Sequence, residues 1–476
     1  MHMIIGGKDI PSADDLWMDV INPATGELID HVPKGSSEDV SAAVEAAETA
    51  FSAWSAKTTR ERGMILCRAA DKIREQHMAL ARLLTQEQGK PLKESVDEVR
   101  GCANILEYYS SIAGRPSGEM IQLGRAGDCL VTRVPLGVCG AIIPWNMPAI
   151  IMGWKTGPAL LAGNTLVLKP ASTTPLTNLR IARILLDAGT PPGVLNVVTG
   201  PGETVGAEIV RHPSIKKISF TGSCETGHRI REMAEGHFKE ITLELGGSDP
   251  MIVMDDADIN SAVEGALRGR FYNAGQVCSA VKRLFLHEKI ATVFLKKLQE
   301  KTETLRVGNG LVSGTDVGPM NSAGQREKIS TVLSDALSHD EGTLLTGGFA
   351  PVGGEYAVGF FYQPTLVTDV IPGSRLLTNE VFGPVLPVMT VPDLDTAIHE
   401  ANQSRYGLGA SVWTKDLGVA KRVFSEVKAG IVWVNRHLTI PPEVPFGGMN
   451  ESGIGRENGY YAIDAYTQTK TLYLGW

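Results

Sequence analysis

The feature that most constrains this chain is an alternation that begins near Arg133. Short β-branched and apolar runs take turns with amphipathic stretches, and Gly and Pro punctuate the joins. VCGAII reads as a strand, PWNMP as a turn, and IIMGWKTGPALLAG as a helix ending at Gly163. TLVLK, VLNVVTG and IKKISF follow as strands, separated by the helical stretches LTNLRIARILLDAG and GETVGAEIVRH, and HRIREMAEG reads as the next helix. Uniformly apolar strands with helical crossovers and short connections predict a parallel sheet covered on both faces. A second series starts after about Gly247. It runs MIVM, a helix over Ile259 to Phe271, KRLFLH, a helix to about Leu305, then TLVTDV, LPVMTV, ASVWT and GIVWVN. Residues from about Ser41 to Ser111 read as helices. CLVTRVPL and TQTKTLYLGW are strands belonging to neither series, expected to pair and leave an edge for another subunit. The fold class is α/β.

Length and charge exclude several functions. A chain of 476 residues suits about three domains. A net charge of -8, with Lys and Arg dispersed, argues against nucleic acid or an anionic membrane as partner. Val134 to Trp154 carries no charge, but Pro135, Pro144 and Pro148, with Gly137 and Gly140, would break a spanning helix. MHMIIGGKDI has no secretory pattern, so a cytoplasmic location is expected. The six cysteines form neither C-x-x-C pairs nor Cys/His clusters, so neither a metal site nor a disulfide framework is expected.

Four places carry chemistry. The turn Phe220-Thr221-Gly222-Ser223-Cys224-Glu225-Thr226-Gly227 precedes a helix, whose N-terminus offers free N–H groups and a positive dipole end to a pyrophosphate. It lacks the G-x-G-x-x-G pattern, and an ordinary strand-to-helix turn reads the same way. Lys169 ends an apolar strand at the sheet edge where such folds bind ligands, although a surface lysine can occupy the same position. Cys278 follows Gly275 on a loop or at the start of an element; a thiolate there is a nucleophile, an apolar neighbourhood an inert thiol. Glu244, between Leu243 and Leu245, is costly to bury unless it works or meets water. Asn146, in the rigid PWNMP loop, can donate to an oxyanion or merely cap its own backbone.

Together these segments resemble the aldehyde dehydrogenase superfamily over nearly the whole chain. The matching motifs stand in family order: PWNMP at 144–148, LKP at 168–170, FTGS at 220–223, LELGG at 243–247, GQVCSA at 275–280, NEVFGP at 379–384 and PFGG at 445–448. Cys278 follows Glu244 by 34 positions, the family spacing. The resemblance implies a Rossmann-like cofactor domain (1–116 and 137–246), a second α/β catalytic domain (247–452) and a small β oligomerisation element (117–136 and 453–476), in a homodimer or homotetramer. It implies that Cys278 attacks an aldehyde, that Asn146 and the Cys278 N–H hold the oxyanion, and that hydride transfer leaves a thioester. Glu244 then activates the hydrolytic water.

The coenzyme, NAD or NADP, is expected at Trp145, Lys169, Ser172, Gly222, Ser223, Gly227, Leu245, Glu380 and Phe382. Lys169 and Glu380 would bind the riboses, Ser223 the pyrophosphate, and Phe382 would pack beside the nicotinamide. Where many NAD-specific members carry a glutamate, this chain has Ser172, which removes a charge that would repel the 2′-phosphate of NADP. Asn450 stands where members often have lysine, with no evident reason.

The expected substrate tunnel is apolar and aromatic: Met147, Ile151, Trp154, Tyr272, Val277, Ser279, Ile440 and Phe446. Succinic semialdehyde dehydrogenases often have arginine where Trp154 stands, so a neutral medium-sized aliphatic or aromatic aldehyde is expected. Arg436 and His437 argue for the alternative, an anionic semialdehyde. A Cys/Glu esterase-type hydrolase is a further alternative, disfavoured by the complete nucleotide set.

Overall fold

The computed structural model describes every residue except 13, 116, 117 and 476. The expected domain boundary at 116 and 117, and Trp476 at the end of the last strand, lie outside the described residues. Two large sheets dominate. The first has the order Gly453–Ile454, Glu240–Glu244, Ile215–Thr221, Val138–Ile142, Thr165–Lys169, Leu195–Val197, Met3–Ile5, Lys8–Ile10. Its five central strands are parallel. The chain leaves Val138–Ile142 in one direction for Thr165–Lys169 and Leu195–Val197, and in the other for Ile215–Thr221 and Glu240–Glu244. The order therefore reverses between Val138–Ile142 and Ile215–Thr221, and the carboxyl ends at such a reversal open a crevice that binds ligands.

The second sheet has the order Thr343–Thr346, Thr365–Thr368, Val385–Val391, Val281–His287, Asp249–Val253, Gly409–Trp413, Ile431–Val434. All its pairings are parallel except the edge strand Thr343–Thr346, so the expected βα order is broken at one edge. One apolar core surrounds this sheet, and two others cover the faces of the first.

The two orphan strands do pair: Asp128–Pro135 runs antiparallel to Thr467–Leu474 and to Gly118–Gln122. Three features depart from the expected layout. Met3–Ile5 and Lys8–Ile10 extend the first sheet, and Trp17–Ile21 pairs with Leu28–Pro33 as a separate hairpin. Gly453–Ile454, assigned above to the small element, instead caps the first sheet beside Leu243 and Glu244. These strands are only two to six residues long, too short for a periodic signature.

The helices start and stop where local chemistry directs. Ser36 with Asp39, and Thr58 with Glu61, form capping boxes on Ser37–Ser55 and Thr59–Glu75. Pro148 opens the helix Pro148–Ala162, and Gly163 closes it in the left-handed region at φ 98°. The helix after FTGS starts at Cys224, four residues earlier than HRIREMAEG implied, because Ser223 accepts the Thr226 N–H as its cap. No helix among the described residues is long and apolar enough to cross a membrane. All six cysteines are free.

Candidate active site

Glu244 is the last residue of Glu240–Glu244, and only four residues separate it from the first strand of the second sheet, Asp249–Val253. The crevice of the first sheet thus faces the loop that enters Val281–His287, which carries Cys278. Ahead of Cys278 the backbone takes an unusual path. Asn273, Ala274 and Gly275 lie consecutively in the left-handed region, at φ 53°, 52° and 72°. For the two non-glycine residues this costs on the order of 1–3 kcal/mol each, so the surroundings must enforce it.

They do so through buried polar groups. The Asn273 N–H donates to the Glu94 carboxylate at 2.8 Å, and Asn273 Nδ2 donates to the Asn146 carbonyl at 3.0 Å. Gln276 Nε2 donates back to the Asn273 carbonyl at 3.0 Å. Asn146 Nδ2 donates one hydrogen bond to the Gln276 carbonyl at 3.0 Å. An amide carries two N–H donors, so one is left over near the loop. Lys90, fully buried, holds the Asn146 loop from the other side: its Nζ meets the Asn146 carbonyl at 2.7 Å and Glu98 at 2.5 Å. The other Glu98 oxygen accepts the Ala149 N–H at 2.8 Å, at the start of the helix Pro148–Ala162.

Cys278 is partly exposed, at the wall of a cavity of about 380 Å³. Burial, reinforced by Asp249, Glu244 and Glu380 and opposed by Lys282, pushes its thiol up to about 12. The resting sulfur is therefore protonated at neutral pH and needs a base or a positive charge to react. Glu244 is 3 % exposed, and among the described residues neither carboxylate oxygen has a hydrogen-bond partner. Burial first, then the nearby Glu457, raises it well above the usual carboxylate range, against the pull of Lys155 and Arg456. Gly447 gives this side chain room, since a Cβ there would stand 2.7 Å from Glu244 Oε1.

All eight expected tunnel residues, Met147, Ile151, Trp154, Tyr272, Val277, Ser279, Ile440 and Phe446, line this cavity with Cys278. Trp154 and Phe446 stack at 5.2 Å between ring centres. Neither Arg436 nor His437 lines the cavity. His437 is buried between the Ser411 hydroxyl and the Ser279 carbonyl, at 2.9 and 2.8 Å. Burial lowers it to about 4, so it is neutral and supports the wall from behind. The charges that do reach the cavity are Arg268 and Asp97, both exposed, and the paired Glu98.

The expected coenzyme residues gather at the crevice. Lys169 is 4 % exposed; its Nζ meets only the Pro170 carbonyl, at 2.9 Å, and burial lowers it to about 8. Among the described residues it has no carboxylate partner, so a buried cation stands at the carboxyl end of Thr165–Lys169 without a counter-charge. Ser172 Oγ donates to the Gly200 carbonyl at 3.1 Å. Gly222 N–H donates to the Glu244 carbonyl at 3.0 Å, tying the FTGS turn to the end of the neighbouring strand. A Cβ at Gly227 would come within 2.7 Å of Leu245, so this glycine lets the helix end press against LELGG. The Ser223 hydroxyl is engaged in its own helix, with Thr226. Glu380 accepts the Gly247 N–H at 3.1 Å, and Phe382 meets Trp145 edge-on at 5.6 Å. An orphaned cation, a helix N-terminus and glycine-lined walls at a sheet reversal fit a dinucleotide.

A sequence model of the aldehyde dehydrogenase family matches residues 10–472. The chain belongs to the aldehyde dehydrogenase family. It is 42 % identical to a phenylacetaldehyde dehydrogenase of Pseudomonas fluorescens, with 100 % of this chain and 96 % of that protein covered. It is equally 42 % identical to a betaine aldehyde dehydrogenase of Rhizobium leguminosarum bv. trifolii, with 99 % and 96 % covered. A solved structure described as an NADP-dependent enzyme of E. coli superposes with a TM-score of 0.97 at 38 % identity, covering 100 % of this chain and 98 % of that one.

Several residues at this aldehyde dehydrogenase site escaped the sequence reading: Lys90, Glu94, Glu98, Asp97, Arg268, Asp249 and Lys282. One signal was available. Glu94 and Glu98 fall on the same helical stripe as Val99, Cys102 and Leu106, and carboxylates on an apolar stripe mark buried polar work.

Proposed function

We propose that this enzyme oxidises a neutral, medium-sized aliphatic or aromatic aldehyde to the carboxylic acid, with NAD or NADP as coenzyme. The observation that carries the reading is the cavity itself: an apolar, aromatic-lined pocket of about 380 Å³ with the Cys278 thiol in its wall. Pockets of this size enclose small ligands, and the polar groups in them fix orientation. The bound coenzyme supplies the hydride acceptor. Cys278 attacks the aldehyde carbon, and the spare Asn146 N–H with the Cys278 N–H stabilises the oxyanion. Glu244, desolvated and unbonded, takes a proton from the water that cleaves the thioester. Lys169 and Glu380 hold the riboses, the helix start at Ser223 receives the pyrophosphate, and Trp145, Leu245 and Phe382 pack on the coenzyme. The exposed apolar face of Met120, Leu130 and Leu472 on the three-stranded sheet supports a homodimer or homotetramer. Free thiols throughout suit a reducing compartment such as the cytoplasm.

An aldehyde panel followed by NAD(P)H absorbance tests the substrate. Hexanal or benzaldehyde is expected to exceed succinic semialdehyde in kcat/KM by about tenfold or more, because the buried wall offers an anion no bidentate partner. The opposite order would assign Arg268, at the cavity rim, to a substrate carboxylate. The same panel run with both coenzymes tests Ser172: measurable NADP turnover is expected. Ser172→Glu should lower kcat/KM for NADP by about tenfold or more while leaving NAD nearly unchanged, since one close charge pair is worth more than 1 kcal/mol. No NADP turnover in the unaltered enzyme would overturn that role.

A further inference from the structure

Behind Cys278 lies a pair of buried charges that the mechanism above does not use. Asp249 and Lys282 stand at the starts of neighbouring parallel strands, with Asp249 level with Val281. The Lys282 side chain is fully buried. Its Nζ donates to the Val277 carbonyl at 2.9 Å and the Cys278 carbonyl at 2.5 Å. It also lies 3.4 Å from Glu380 Oε1 and 5.6 Å from the centre of the Phe382 ring. Asp249 is 1 % exposed, and besides the Gly409 backbone N–H it has no hydrogen-bond partner among the described residues. A Cβ on Gly247 would stand 2.7 Å from the Cys278 carbonyl and 3.0 Å from Asp249 Oδ1, so both oxygens border one small gap behind the Cys278 peptide.

Burying an ammonium costs several kcal/mol. The turn before Cys278 is already held by Glu94, Asn146 and Gln276, so anchoring that turn does not account for the cation. Its contacts are with the backbone of the nucleophile residue and with Glu380 and Phe382 on the coenzyme side. We propose that Lys282 is a positioning residue of the reaction. It grips the Val277 and Cys278 carbonyls, keeps a positive charge beside the nucleophile and ties the nucleophile loop to Glu380, while Asp249 opposes that charge. The proposal rests on Cys278 being the nucleophile. The charged groups facing the thiol are Glu244 from the first sheet, Asp249 from the adjacent strand, Glu380 from the loop opposite and Lys282; the three carboxylates raise the thiol and Lys282 lowers it. A nearby cation favours thiolate over thiol.

The test is alkylation of Cys278 by iodoacetamide in the intact, coenzyme-free enzyme, followed on the Cys278 peptide by mass spectrometry across a pH series. Lys282→Gln should displace the rate–pH profile upward and slow alkylation about tenfold at a fixed pH, which is one pH unit of thiolate population. Asp249→Asn should do the reverse and speed alkylation above about pH 7, where this carboxyl ionises. An unchanged Lys282→Gln rate overturns the inference. Because loss of a nearby cation slows alkylation by one factor at every pH below the thiol's range, Lys282→Arg, which keeps the charge, separates charge from structure. It should restore the rate, and a Lys282→Arg rate no faster than that of Lys282→Gln overturns the inference. If Lys282→Gln does not fold, Asp249→Asn decides, and an unchanged or slower rate overturns it. Full dehydrogenase activity in Cys278→Ala would instead defeat the underlying reading, which keeps the two failures distinguishable.

Discussion

Cys278→Ala loses aldehyde-dependent NAD(P)H formation, with kcat expected to fall by about 10⁴-fold or more, as for removal of a covalent nucleophile in other enzymes. No other cysteine lines the cavity, so none can take over. Folding should survive, because the side chain is partly exposed at the cavity wall and its removal leaves little void. Binding of NAD(P)H, read by fluorescence titration, should therefore persist while turnover disappears. The unaltered enzyme carries a pH signature of the same residue. Its thiol is pushed up to about 12, so the attacking thiolate is scarce at neutral pH and grows tenfold per pH unit. Single-turnover acylation should rise with pH through the neutral range; a rate that is flat or falls there would contradict a rate-limiting thiolate. A variant retaining wild-type turnover would remove Cys278 from the chemistry altogether.

Glu244→Gln separates the two halves of the reaction. The amide keeps the shape and loses no hydrogen bond, since neither carboxylate oxygen has one. What disappears is a base, worth about 10²–10⁴-fold. Steady-state turnover should fall by that factor, while mixing with aldehyde and coenzyme still yields a burst of about one NAD(P)H per active site before stalling. The burst follows because thioester formation precedes the step that needs this carboxylate. Loss of the burst together with turnover would place Glu244 before the thioester. Burial and Glu457 hold this carboxyl well above the usual range, so its protonated form dominates at low pH. The deacylation rate of the unaltered enzyme should accordingly increase with pH and lose its dependence in Glu244→Gln.

Elements with many apolar residues in period were legible before any coordinates. TLVLK, IKKISF and KRLFLH became strands because fully buried parallel strands are apolar on both faces, and Gly163 ended its helix because only glycine enters the left-handed region at little cost. Cys278, Glu244, Asn146 and the tunnel residues Met147, Val277, Ser279 and Phe446 sit in short ordered motifs that punctuate those elements, and Ile151, Trp154, Tyr272 and Ile440 lie outside them in the flanking segments. Most charged residues had no such signature. On sequence, Lys90, Asp249 and Lys282 look like solvated side chains; their partners lie as far as 56 or 98 positions away, as with Lys90 to Asn146 and Lys282 to Glu380. Whether such a group meets water or a buried partner depends on which elements the chain brings together. The same limit hid the pairing of Gly453–Ile454 with Leu243 and Glu244, and the burial of His437 between Ser411 and Ser279. Both parallel-sheet cores were readable from apolar runs alone, as were the thiol and carboxylate proposed here for the chemistry. The charge around them was not, because desolvation and long-range pairing arise when distant segments close on one cavity.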